Sequence, residues 1–406
     1  MQFPGIRSTD MYLPAPTVDM AKWAVVACDQ FTSQPQYWYE VEDLVGEAPS
    51  ALRLIQPEAF LEQGDHTEQV NATMRRYLDD GTLCCAVRDG FIVVERETPA
   101  GKRLGLMAAL DLERYDFTTG TLLTRATEGT VADRLPPRVK IRQNAPLELP
   151  HVLVLIDDPD RTVIEPLFAK KQDGAPLYDV ELMQDGGHLR GWAVEDEASK
   201  AGLAAALNAL YDKADGFLYA VGDGNHSLAT AKLCWENLKA TLSPNEAENH
   251  PARYALVELE NLHDEAILFE PIHRVVFHVD ADDLIDGFKT YVEKQSMTLI
   301  DGDEIVFVGH AGYALGNANG MLPIAVLQNY LDEYLKTHEA TIDYIHGDQT
   351  VRELCEAPDA LGILLQGIPK DGFFEGIRVG GHFPRKTFSM GEANEKRYYV
   401  EARKIR

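Results

Sequence analysis

Residues with the makings of a reactive site concentrate at Phe217–Lys232, FLYAVGDGNHSLATAK, where an apolar strand runs through Gly-Asp-Gly-Asn-His-Ser into a helical pattern. A strand-to-helix turn this tight needs positive φ values and close backbone approach, which Gly222 and Gly224 permit. The polar residues then fall on the first helical turn, where unpaired amides make a natural anion site. With the two glycines in place, the Asn225 and His226 amides are expected to face one point. Asp223 can hold a metal, act as a base or cap the helix. His226 can donate to a phosphate or move a proton near neutral pH. Ser227 can cap the helix or bind phosphate through its hydroxyl. The loop is neither a G-x-x-x-x-G-K-[ST] phosphate loop nor a G-x-G-x-x-G dinucleotide fingerprint. The same residues also suit an ordinary turn and helix cap.

Three further polar clusters interrupt apolar sequence. Pro271-Ile272-His273-Arg274 lies inside ILFEPIHRVVF; a solvated strand end is the alternative. Gly380 to Thr387 is glycine-rich and basic, and its Arg385, Lys386 and Thr387 suit an anion as well as a plain basic turn. Asp343-Tyr344-Ile345-His346-Gly347-Asp348 is the faintest, with a turn as its other reading. The expectation is that Asp223–Ser227, His273–Arg274 and Arg385–Thr387 line one pocket.

The elements that must position these groups alternate between strand and helix. Trp23–Cys28 and Val152–Ile156 are compact apolar runs that read as buried strands, and Gly216–Val221 is the strand before the turn. Helices are expected at Gln36–Val45, Asp65–Leu78, Glu195–Leu210, from Ser227 onward, and at Pro323–Lys336. Leu83–Arg88, Phe91–Arg96 and Leu104–Leu110 read as a meander, with Asp89-Gly90 as a hairpin turn between the first two. Arg125–Leu149, with four arginines, one lysine and several prolines, reads as an extended connection. The fold class is therefore α/β (mixed α+β), with mixed sheets flanked by helices. Boundaries near 150 and 280 divide the chain into 1–150, 151–280 and 281–406, or the whole is one elaborated domain.

Composition narrows the partners. The chain has 406 residues, and 38 Lys and Arg against 65 Asp and Glu leave a net charge of −27. Such a surface repels phosphate backbones and anionic membranes, which argues against nucleic-acid and membrane partners. No apolar run approaches a membrane span, and the N-terminus lacks the pattern of a signal peptide. The five cysteines form no C-x-x-C pair and no zinc-finger spacing, so reduced thiols in a cytoplasmic protein are expected.

At several of these residues the chain resembles the family catalogued as domain of unknown function 1015. AVGDGNHSLATAK matches its D-G-[HN]-H turn, and Glu270–Arg274 its P-x-H-R segment. Ser50–Glu58 matches an N-terminal I-x-P-E stretch. Arg125–Thr130 with Asp133-Arg134 matches R-x-x-E-x-T and D-R. Asp343–Gly347 matches D-Y-x-H-G, and Pro384–Thr387 matches P-[RPK]-K-[ST]. The matches run in order over most of the chain. The D-G-[HN]-H turn is also similar to the D-G-H-H-R turn of the ParB-like superfamily, which includes free-serine kinases. That second resemblance implies a ParB-like arrangement around the turn, with Asp223, Gly224, Asn225 and His226 against nucleotide phosphates. Ser227 stands where that turn has Arg, so Arg385, Lys386 or Arg134 would have to supply the missing charge.

Two readings of the site follow. In the first, the protein is an enzyme that transfers or hydrolyses a phosphoryl group on a small metabolite. ATP, ADP or another nucleotide with Mg²⁺ would be its cofactor, and a phosphorylated small molecule its ligand. Asp223, His226 and His273 would then be catalytic, with Asp223 also on the metal. Gly222, Gly224, Asn225, Ser227, Arg274, Arg134, Arg385, Lys386 and Thr387 would bind. In the second, the same pocket serves a non-catalytic nucleotide or anion sensor. A metal-dependent hydrolase built on His226, His273 and Asp223 is the remaining alternative.

Overall fold

The computed structural model describes residues 2–118, 121–130, 135–318, 320–384 and 386–406. The chain forms two compact units. The first comprises Met1–Ala126, Thr130–Leu268 and Gly391–Arg406; the second comprises Thr127–Gly129 and Phe269–Met390.

The first unit is built on an 11-stranded mixed sheet. Its middle runs His188–Val194, Leu83–Thr98, Gly101–Asp111, Tyr254–Asn261, Leu153–Ile156, Tyr219–Asp223 and Thr124–Ala126. Tyr254–Asn261 pairs parallel with Leu153–Ile156, and Tyr219–Asp223 pairs parallel with Thr124–Ala126. The others in this run pair antiparallel. Alternation along the strands buries both faces. Phe91 and Val93 enter one core with Trp192, Tyr219 and Leu228. Ile92 and Val94 enter another with Trp23, Trp38 and Tyr398.

On the face that carries Leu256, the strand also buries Glu258 and Glu260. Each meets an arginine: Glu260 Oε1 lies 2.7 Å from Arg103 Nε, and Glu258 Oε2 lies 2.7 Å from Arg397 Nε. Arg397 also pairs with Glu401, which accepts a hydrogen bond from Tyr178 Oη. Arg403 Nε lies 2.6 Å from Glu148 Oε1. Buried charges at this depth persist only when paired, so the contacts of Arg397, Glu401 and Arg403 pin Gly391–Arg406 against the sheet. Arg96 adds to the hold by donating to the Lys396 carbonyl at 3.2 Å.

The second unit has a six-stranded sheet in the order Gly312–Gly316, Thr298–Phe307, Ala360–Leu365, Phe269–Phe277 and Thr341–His346, all pairing antiparallel. Phe388–Met390 pairs with the start of Phe269–Phe277. Val276, Phe307 and Ile363 pack with Leu284 and Phe288 of Ala281–Lys294 and with Leu327 and Leu331 of Pro323–Tyr334. Val275 and Leu364 pack with Val351 of Asp348–Leu354.

Three local expectations change. Asp89-Gly90 is not a hairpin: one strand runs through it from Leu83 to Thr98, and the chain reverses between Thr98 and Gly101. Gly90 is required because a Cβ there would sit 2.9 Å from the Val194 carbonyl oxygen. Arg125–Leu149 is not simply extended, since Leu135–Arg142 is a helix. Pro136 and Pro137 fall in its first turn, where a missing N–H is tolerated. Ser243–Ala252, a polar stretch whose sequence reads as a turn or exposed loop, instead holds a helix, Pro244–Asn249, closed by a Ser243–Glu246 capping box. All five cysteines are free thiols, and no helix among the described residues is long and apolar enough to cross a membrane.

Candidate functional site

In the first unit, the strand Tyr219–Asp223 ends at the turn and the helix Asn225–Lys239 begins immediately after it. Gly224 caps the helix in the left-handed region, at φ 80° and ψ 26°. A Cβ there would lie 3.0 Å from Val152 Cα, just before the neighbouring strand Leu153–Ile156, so both conformation and space select glycine. Gly222 sits inside the strand where its register against Leu153–Ile156 shifts. The first intrahelical bond runs from Leu228 N–H to the Gly224 carbonyl, so the amides of the first turn point out of the N-terminal end. Asn225 is buried, while His226 and Ser227 are half-buried. Lys232 faces away, with its ammonium on the Leu112 carbonyl and Glu236.

Asp223 uses one carboxylate oxygen to accept the Gly224 N–H at 2.8 Å. The other lies 3.2 Å from Lys396 Nζ, an ammonium held almost entirely out of water. A second carboxylate, Asp29, feels the charge of that cation. Burial would raise the Asp29 pKa, but His151, a Gln30 hydrogen bond, Lys396 and Arg138 outweigh it and hold the group below the ordinary value. His151 Nε2 lies 3.9 Å from Asp29 Oδ2, and its Nδ1 lies 2.7 Å from Tyr399 Oη. Tyr399 Oη accepts the Cys28 N–H at 3.2 Å, which leaves its own proton to donate to His151 Nδ1. The Nε2–H of His151 then faces Asp29. Burial, with Asp29 beside it, pushes the Cys28 thiol up to about 12, so Cys28 is a poor nucleophile.

These groups adjoin a cavity of about 130 Å³ within the first unit. Cys28, His151, Ser227, Thr230 and Tyr399 are among its polar lining residues. Arg138 and Arg142 also reach it, paired with Glu58 and Glu148 respectively. The site therefore combines a helix N-terminus, a buried ammonium paired with Asp223, and a row of proton-carrying groups. Such a set can hold an anion and move a proton beside it.

His273, Arg274, Lys386 and Thr387 belong to the second unit. His273 is buried; its Nδ1 accepts the Leu365 N–H at 3.1 Å and its Nε2 lies 2.8 Å from Asp348. Burial lowers its pKa, with Asp348 opposing. Arg274 is fully buried over the Tyr344 ring, and its Nε donates to Gln328 at 3.2 Å. Burial lowers its pKa to about 10. Thr387 is buried and donates to the Pro384 carbonyl at 2.6 Å, whereas Lys386 is exposed in the left-handed region. A ligand reaching His273, Arg274 or Thr387 has to displace that packing. Arg134 and Arg385 lie outside the described residues.

Sequence reading missed Asp29, His151, Lys396 and Tyr399. A signal for Asp29 was present: a carboxylate directly follows the buried run WAVVAC, as Asp223 follows FLYAVG. Lys396 and Tyr399 had none of that kind. They reach the site only because the C-terminal segment packs back on the first unit.

The family described as "Protein of unknown function (DUF1015)" matches residues 12–332, and the chain belongs to it. No curated protein matches the chain. Among solved structures, it is similar to a free serine kinase in complex with AMP, at 10% identity and a TM-score of 0.39, covering 73% of this chain and 90% of that one. It is also similar to a conserved hypothetical protein from Pyrococcus furiosus, at 12% identity and a TM-score of 0.35, covering 73% and 90%. SbnI with C-terminal truncation from Staphylococcus aureus matches at 8% identity and a TM-score of 0.37, covering 70% and 82%. A likeness of this depth does not extend to ligand or activity.

Proposed function

We propose that this DUF1015 protein binds a phosphorylated small metabolite or nucleotide at the Asp223–Ser227 turn and transfers or hydrolyses a phosphoryl group there. The observation that carries the reading is the buried Lys396 ammonium, 3.2 Å from Asp223 at the mouth of a helix N-terminus, whose charge also helps to hold Asp29 ionised. Amides of the first turn, Lys396 and the Ser227 hydroxyl would take the negative charge of the phosphoryl oxygens. His226, half-buried on the same turn, would add a donor. Asp29 stays ionised at neutral pH, and His151 orients it. As the acceptor oxygen bonds to phosphorus, its proton would pass to Asp29, and the bond to the leaving oxygen would break with the electron pair staying on the leaving group. With water as the acceptor the same step is hydrolysis.

Among the described residues no three His, Cys, Asp or Glu side chains group as a metal site. Asp223 and Asp29 could still share Mg²⁺ with phosphate oxygens and water, the usual mode for that ion, and it would neutralise charge on the phosphoryl oxygens. A non-catalytic sensor is favoured by one observation: the cations Arg138, Arg142 and Lys396 each already have a carboxylate partner. Incubating a panel of nucleotides and phosphorylated metabolites with Mg²⁺ separates the readings. Turnover by wild type that drops about 100-fold or more in Asp223→Asn supports the enzyme. Equal turnover in both proteins removes Asp223 from the mechanism, and binding without turnover leaves the sensor.

A further inference from the structure

We infer that the ligand of this site carries an apolar body about the size of one ring beside its phosphate group. The inference rests on the phosphate reading above and adds the chemical class of what the phosphate is attached to.

The cavity beside the turn has two kinds of lining. Ser227, on the first turn of the helix, His151, Tyr399 and Gln56 are polar. Leu54, Ile55, Leu61, Met74, Ile141 and Leu147 are aliphatic. Four charged side chains also reach the cavity, but they are matched among themselves. Arg138 pairs with Glu58, and Arg142 with Glu148. Glu148 in addition takes Arg403 and the Leu256 N–H. The helix Leu135–Arg142 thus presents Arg138, Ile141 and Arg142 as one stripe, in which Ile141 is the member that offers uncommitted surface.

Size sharpens the class. At about 130 Å³ the cavity is close to an engineered apolar cavity of about 150 Å³ that takes up benzene. Small-molecule sites typically join such an apolar wall to a few convergent polar groups that fix orientation. Inorganic phosphate, or a phosphate ester of a one-carbon alcohol, leaves the wall unmatched. A phosphate on a ring or a branched chain of about that bulk fills it, with the phosphate toward Ser227.

The test is calorimetric titration of the full chain with inorganic phosphate, methyl phosphate, propyl phosphate and phenyl phosphate. Affinity should rise about fourfold per added methylene, the equivalent of about 0.8 kcal/mol each, and be highest for phenyl phosphate. Ile141→Trp, which fills the cavity from a half-buried position, should abolish that gain while leaving inorganic phosphate unchanged. Ile141→Leu, which keeps the aliphatic surface and volume, should keep the gain and serves as the control for folding. Binding of inorganic phosphate with no gain along the series overturns the apolar body and leaves the phosphate reading standing. A gain along the series that survives in Ile141→Trp also overturns it, because the body then lies elsewhere. If none of the four compounds binds wild type, both readings fall.

Discussion

Replacing Gly224 by alanine probes the turn most directly, and the molecule contains its own control. Gly224 has φ 80° and a Cβ there would lie 3.0 Å from Val152 Cα. Gly216 has nearly the same φ, 76°, but is exposed, and a Cβ there meets nothing within 4 Å. The left-handed conformation costs alanine about 1–2 kcal/mol, and the stiffer unfolded chain returns about 0.4–1 kcal/mol. Gly216→Ala should therefore be destabilised by roughly 0–1.6 kcal/mol. Gly224→Ala carries the same cost plus overpacking against backbone, which adds about 1–3 kcal/mol. Trp23, Trp38, Trp192 and Trp235 all lie in the first unit, so tryptophan fluorescence in urea follows that unit. With an m-value of about 3 kcal/mol/M, an extra 2 kcal/mol or so separates the two midpoints by about 0.7 M. Gly224→Ala should also lose phosphate binding, because relieving the contact moves the helix end; Gly216→Ala should keep it. Coincident midpoints, or phosphate binding intact in Gly224→Ala, would refute the assignment of this glycine to a strained, ligand-facing turn.

Other perturbations test other parts. Lys396→Met should weaken phosphate affinity by about 10–100-fold, as expected for losing a charge-assisted contact; unchanged titrations would remove Lys396 from the site. The Cys28 thiol, pushed up to about 12, should alkylate at pH 8 on the order of 10³-fold more slowly than an ordinary exposed thiol. Mass-spectrometric labelling in which Cys28 keeps pace with exposed Cys84 would contradict the raised thiol. Burial raises the Glu260 carboxyl to about 8 against the pull of Arg103, so the folded chain holds a proton that the unfolded chain releases above 4.5. Stability should then fall as pH rises from 4.5 through 8, by at most about 1.4 kcal/mol per unit, and Glu260→Gln should flatten that slope in urea titrations at pH 6 and 9.

The local elements were legible in the sequence because each announces itself through its own residues. Apolar run, glycine-bounded polar turn and helical spacing at Phe217–Lys232 are contiguous, and the strand, cap and helix formed there. Pro136 and Pro137 misled because proline reads as a break unless its place in the first helical turn is recognised. Asp89-Gly90 misled because a glycine demanded by close approach of the Val194 carbonyl looks, in sequence, like one demanded by a turn. The site itself was half legible. Asp223 to Ser227 could be named, but Asp29, His151 and Lys396 come from segments up to several hundred residues apart. Their meeting depends on sheet order and on the buried pairing of Arg397 with Glu258, neither of which leaves a local pattern.

The path of the chain also sets when the site can exist. The first unit is interrupted at Leu268 and resumes only at Gly391, and the resumed stretch delivers Lys396 and Tyr399. During synthesis the Asp223 turn is made long before its ammonium partner. At about 5–20 residues per second, the 138 residues from 269 to 406 take roughly 7–30 s to add. Throughout that interval the nascent chain holds Asp223 without the ammonium beside it, so the pairing of Asp223 with Lys396 forms only once Gly391–Arg406 docks.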